Sequence, residues 1–181
     1  MRESFLAQGI ADYDILRFMN KKCSFKYAGA MVLGMHDALV EITGILAGLA
    51  FAVDSRRVIV MTGAIAAVAA SLSMAAANYM AERTNKNPHA FICAMYTGAM
   101  YVVTSAAVIL PFCLIPNRGW ALGIMGLIAV GIIFIFNLII GRDGARSFIE
   151  RFTEMLAVCV GVSVTSFAIG QAAKFFLGVN I

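Results

Sequence analysis

Charged residues are scarce in this chain. Only 13% of its 181 residues are Asp, Glu, Lys or Arg, while 61% are hydrophobic, whereas soluble domains carry about a quarter charged residues. A soluble domain of this size could not bury so much apolar surface. The composition therefore predicts an integral membrane protein.

Several chemical signals are also missing. The four cysteines form no C-x-x-C or Cys/His cluster, so we expect them to pack as small hydrophobes rather than to build a zinc site or disulfide frame. No nucleophile–base set or cofactor motif appears, so we expect neither an enzyme nor a bound prosthetic group. We expect no cleavable signal peptide, because the polar first residues lack an apolar core. The net charge of +4 is expected to reflect loop charges that set membrane orientation, rather than binding to nucleic acid.

What the chain has instead is long apolar runs. Five of them are long enough to cross about 30 Å of hydrocarbon, and the links between them are short. Short links make sequential helices antiparallel neighbours, so residues 28–181 are predicted to form one all-α domain of five transmembrane helices. The predicted spans are Ala28–Val53, Val58–Met80, Ala90–Ile115, Gly119–Gly141 and Thr153–Gly178.

The cationic residues predict an orientation. Of the 14 Lys and Arg residues, ten fall on the side of the N-terminus and four on the other, which places the N-terminus in the cytoplasm and the C-terminus outside or in an organelle lumen. Residues 1–27 are predicted to be a cytoplasmic segment, with a short amphipathic helix at Gly9–Phe25 on the membrane face. The expected host is a prokaryotic plasma membrane, or a vacuolar-type membrane in a eukaryote.

Two acidic residues break the apolar pattern of the first span. Asp37 and Glu41 are the only acids well inside a predicted span, where an ionised carboxylate costs at least a few kcal/mol. Their i, i+4 spacing puts them on one helical face, so we expect a proton or a cation between them. The alternative is a structural pair that holds the bundle together. His36 points about 100° away from Asp37 and is expected to be a packed or interfacial residue.

The second span offers complementary atoms. Met74 and Asn78 share a face with small residues and provide a soft thioether and an amide oxygen. Hard oxygens with one soft sulfur suit Fe²⁺ better than Ca²⁺ or Mg²⁺. The candidate metal ligands are therefore Asp37, Glu41, Met74 and Asn78. The alternative for Met74 is ordinary packing.

Three glycines lie near the face of the acidic pair. Gly34, Gly44 and Gly48 are spaced so that another helix backbone could approach the first span closely. We therefore expect the first span to be tightly packed along this part of its length.

These residues resemble the vacuolar iron transporter family, which includes the yeast vacuolar iron/manganese importer. The similarity covers about Gly34 to Gly178. The motifs that carry it are D-A-L-V-x-x-x-G-x-x-A-G from Asp37, S-L-S-M-A-A-x-x-Y from Ser71, Asn87-Pro88, Leu110-Pro111-Phe112, and Ser166 to Gly170.

The resemblance implies a homodimer of five-helix protomers with a metal path near the dimer interface, lined by Asp37 and Met74. It implies export of Fe²⁺, with Mn²⁺ as a second substrate, from the cytoplasm in exchange for protons. The expected partners are thus divalent metal ions, protons, the lipid bilayer and a second copy of the chain.

The sequence departs from that family at two points. Plant-type members carry a glutamate-rich cytoplasmic insert after the second span, but here the link from Ala81 to His89 has one acid, Glu82. Many relatives also have a glutamate where this chain has Asn78. These departures leave two alternatives open: a non-transporting metal-sensing or scaffolding dimer, and a transporter of another small cation on the same scaffold.

Overall fold

Five long helices make up the part of the chain described by a computed structural model, which covers residues 27–140 and 148–177. They are α1 (Ala28–Ala52), α2 (Arg56–Thr84), α3 (Ala90–Leu114), α4 (Arg118–Ile140) and α5 (Phe148–Leu177). All five are long and apolar enough to cross a membrane. The prediction of an all-α protein with five transmembrane helices is confirmed, although α5 begins five residues before the predicted span. The predicted amphipathic helix at Gly9–Phe25 lies outside the described residues.

Side chains in the short links fix where the helices begin. Asn87 Oδ1 accepts a hydrogen bond from the backbone N–H of His89 at 3.0 Å, just before α3. Asn117 Oδ1 accepts one from the N–H of Gly119 at 2.9 Å, in the first turn of α4. The bond to Gly119 satisfies a backbone donor that the first turn of α4 leaves without a helical partner, whereas the bond to His89 forms a turn just before α3.

Helix α1 is the centre of the bundle. It contacts each of the other four helices, most extensively α3 and α5, while α2 packs chiefly against α3. The side chains of Met35, Leu39, Ile42 and Leu46 are fully buried along α1. By contrast, α2, α4 and α5 expose many large apolar side chains, as expected of helices that face lipid.

Small residues bring α1 close to two neighbours. A Cβ atom built on Gly34 would lie 2.0 Å from the carbonyl oxygen of Thr97 on α3. On the α5 side, a Cβ on Gly48 would meet the backbone oxygen of Ser166 at 3.2 Å, and one on Gly170 would meet the carbonyl oxygen of Gly48 at 3.0 Å. The close approach predicted from the glycines of α1 is therefore confirmed, but it involves two different helices.

Candidate metal path

A cavity of about 380 Å³ lies between α1 and α5. Its polar lining consists of His36 and Asp37 from α1 and of Arg151 and Glu154 from α5, and its apolar lining is Val32, Leu33, Met155 and Val158. Four ionisable side chains thus line one cavity, which reaches from the exposed Glu154 to the half-buried Asp37. Side chains of this kind are rare at membrane depth and mark ion or proton pathways by default.

The register of α1 and α5 sets the depth of each group. Gly44 lies opposite Ser166, and Gly48 opposite Gly170, so the two helices run parallel with a constant offset. Glu154 therefore lies near the starts of both helices. Asp37 is nine residues after the first residue of α1, or about 14 Å along the axis at 1.5 Å per residue. The cavity leads from the helix ends towards a carboxylate near mid-helix.

The cavity contains an incomplete set of metal ligands. Asp37 is half-buried and interacts electrostatically with Glu41 and with His36. Within residues 27–140 and 148–177, no group of three or more His, Cys, Asp or Glu side chains is arranged to hold a metal ion. A cation bound beside Asp37 would therefore need backbone oxygens, water, sulfur or a second protomer to complete its coordination.

Glu41 is held by a residue of α3. The hydroxyl of Tyr101 on α3 donates a hydrogen bond of 2.6 Å to Glu41 Oε2, and the Tyr101 side chain is fully buried. A hydrogen bond of this length fixes the carboxyl group in place. Tyr101 was not singled out in the sequence, because a tyrosine in an apolar run carries no signal of its partner on another helix.

We predict that Tyr101→Phe destabilises the protein. Removal of the hydroxyl leaves a partly buried carboxylate without this donor, which costs about 1–3 kcal/mol. The measurement is the unfolding temperature of the purified protein in detergent. Tyr96→Phe is the matched control, because the Tyr96 side chain is 42% exposed and contacts Tyr27 through its ring. Equal unfolding temperatures for the two variants would contradict the prediction.

Asn78 belongs to a separate polar network between α1, α2 and α3. Its amide Nδ2 donates a hydrogen bond of 2.6 Å to Thr97 Oγ1, and that hydroxyl lies 3.0 Å from the carbonyl oxygen of Ala30. Asn78 is buried, so these bonds satisfy polar groups that would otherwise face the apolar bundle. The network joins three helices close to Gly34.

The four predicted metal ligands are not gathered in one cavity of the described protomer. Asp37 lines the cavity between α1 and α5, whereas Met74 is partly buried against the apolar core on α2, a helix that hardly touches α5. Glu41 contacts α3, and Asn78 bonds to Thr97. The prediction that these four bind metal stays a prediction.

The structure adds three residues to the surroundings of Asp37. His36, Arg151 and Glu154 line its cavity, although the sequence favoured a packed or interfacial role for His36. The i, i+4 spacing of Glu150 and Glu154 was visible in the sequence. The sequence does not show whether Glu150 or Glu154 faces α1, because this depends on how α5 packs.

The fold and this cavity define a multi-pass α-helical membrane protein with carboxylates inside the bundle. Residues 28–90 match the VIT family model. The match covers α1, α2 and the link to α3, and in this segment the chain is similar to the vacuolar iron transporter family, as the motifs in the sequence predicted. That family is one of transporters, which is consistent with a protein that is not an enzyme. A comparison with curated proteins found no match.

Proposed function

We propose that this protein transports divalent transition-metal ions, Fe²⁺ and also Mn²⁺, out of the cytoplasm in exchange for protons. The observation that carries the proposal is the Asp37 carboxylate in a cavity between two apolar helices, within the segment that matches the VIT family. The metal is cargo, and no prosthetic group is required. The N-terminus is proposed to be cytoplasmic, so that the cavity opens towards the metal source.

The coupling follows from the chemistry of a carboxylate. A proton and a metal ion compete for the same oxygen lone pairs, so Asp37 can hold one or the other. Glu41 lies one turn away on α1 and interacts with Asp37, so binding of a cation at one acid relieves its repulsion with the other. A proton arriving from the far side would then displace the metal.

Asp37 is the best supported of the four proposed ligands. Met74 and Asn78 lie on α2, which packs against α3 and hardly touches α5. Met74 is proposed to share an ion with Asp37 either from a second copy of the chain or after a movement of α2. The proposed homodimer offers the first route. Asn78 would then support the path through Thr97 rather than bind the ion directly.

Uptake into proteoliposomes with an imposed pH gradient tests this function. With the lumen acidic, we expect Fe²⁺ to accumulate in the lumen, and we expect accumulation to stop when an ionophore collapses the gradient. Competition by Mn²⁺, Co²⁺ and Zn²⁺ in the same assay ranks the substrates. Metal binding without gradient-dependent flux would overturn the transport proposal and favour a sensing or scaffolding dimer.

A further inference from the structure

A second cavity lies at the opposite end of the bundle from the starts of α1 and α5. It measures about 340 Å³ and is formed by the first turns of α2 and the last turns of α3. Its lining combines two cationic side chains with apolar and sulfur-containing ones: Arg56, Arg57, Val60, Met61, Phe112 and Cys113. It is separate from Asp37 and from every proposed metal ligand.

The two arginines of this cavity form no ion pair with an acid among residues 27–140 and 148–177. At this end of the bundle, Asp54 forms an ion pair of 2.8 Å with Arg118, and Arg118 also donates a hydrogen bond to the carbonyl oxygen of Val53. Within the part of the chain that the structure describes, Arg56 and Arg57 have no carboxylate within ion-pair distance. The cavity thus presents two guanidinium groups with donors available to an anion.

The surface next to these arginines is apolar. The Met61 side chain is 62% exposed, and Ile65, one turn further along α2, is 67% exposed. In a membrane this face of α2 contacts acyl chains, while the helix ends reach the headgroup layer. An anion that binds here would therefore have its charge beside the arginines and its apolar part along α2.

The location of the two arginines also favours a bound anion. Under the proposed orientation, this end lies away from the cytoplasm, on the side where membrane proteins carry few Lys and Arg residues. Two adjacent arginines at such a position are better accommodated when an anion neutralises them. Their planar forks match the geometry of phosphate oxygens.

We propose that Arg56 and Arg57 bind the phosphate of an anionic phospholipid, whose acyl chain lies against Met61 and Ile65. The apolar surface distinguishes this occupant from free inorganic phosphate, which would gain nothing from it. The assignment rests on the membrane-spanning fold and on the orientation given with the proposed function, and it is independent of the transported ion.

Native mass spectrometry of the full chain in detergent micelles tests the proposal. The probes are phosphatidylglycerol, phosphatidylcholine with the same acyl chains, and inorganic phosphate. We expect phosphatidylglycerol to remain bound and phosphatidylcholine to dissociate. The double variant Arg56→Gln/Arg57→Gln should weaken phosphatidylglycerol binding about thirtyfold, the combined effect of two near-surface arginines.

Arg83→Gln is the matched control. Arg83 lies in the last turn of α2, at the other end of the bundle. This variant should therefore bind phosphatidylglycerol as the parent does. Equal retention of the two phospholipids by the parent protein would overturn the proposal without relying on any variant. If inorganic phosphate at the same concentration as the lipid displaces phosphatidylglycerol, the proposal is also overturned, because the site then binds a free anion. Unchanged binding by the double variant would exclude these arginines.

Discussion

Asp37→Asn is expected to reduce proton-driven Fe²⁺ uptake to the level of protein-free liposomes. The amide has nearly the same shape as the carboxylate, but it carries no charge and cannot exchange a proton for a metal ion. A loss of at least about tenfold corresponds to about 1.4 kcal/mol in the transport barrier. The measurement is the initial rate of Fe²⁺ uptake into proteoliposomes at a fixed inward-acidic pH difference.

Asp54→Asn is the matched control for this variant. It removes the same charge by the same chemistry, but Asp54 is 74% exposed and pairs with Arg118 at a bundle end, where an ion pair contributes about 0–1 kcal/mol. Uptake by Asp54→Asn should therefore equal that of the parent. If Asp37→Asn, purified as a monodisperse protein, transports as fast as Asp54→Asn does, Asp37 is not part of the path.

The five helices could be predicted because membrane insertion leaves a strong local signal. Each span needs about 20 apolar residues in a row, and such runs are readable without knowledge of their neighbours. The boundaries were harder to predict where charged residues interrupt the apolar run near a helix end, as Glu150 and Arg151 do at the start of α5. A helix can continue into the headgroup layer with little cost, so hydropathy does not mark its end.

The candidate site could be predicted only on α1. Asp37 and Glu41 stood out because a carboxylate in a span is costly wherever the helix packs. Their partners depend on which helices touch, and sequence spacing does not encode this. Thus Tyr101 reaches Glu41 across 60 positions of sequence, and Glu154 reaches the Asp37 cavity through the packing of α5. Met74 was interpreted as a neighbour of Asp37 because sequential helices pair, but α2 packs chiefly on α3.

Gly34→Ala is expected to be among the most destabilising single substitutions in α1. The added Cβ would lie 2.0 Å from the carbonyl oxygen and 2.8 Å from the carbonyl carbon of Thr97. Both are backbone atoms, so no side-chain rotation relieves the clash and α1 must separate from α3. That movement would weaken the hydrogen bonds from Thr97 to Ala30 and from Tyr101 to Glu41. Overpacking typically costs 1–3 kcal/mol, and we expect about 3 kcal/mol or more here.

Gly29→Ala separates the clash from the general effect of replacing a helical glycine. A Cβ at Gly29 meets no atom within 4 Å, so this variant should be neutral or slightly more stable, because alanine favours helix over glycine by up to about 1 kcal/mol. The unfolding temperature in detergent should therefore fall strongly for Gly34→Ala and stay level or rise for Gly29→Ala. Equal values for the two variants would show that α1 and α3 are not in backbone contact at Gly34. The network of Asn78, Thr97 and Ala30 would then need another explanation.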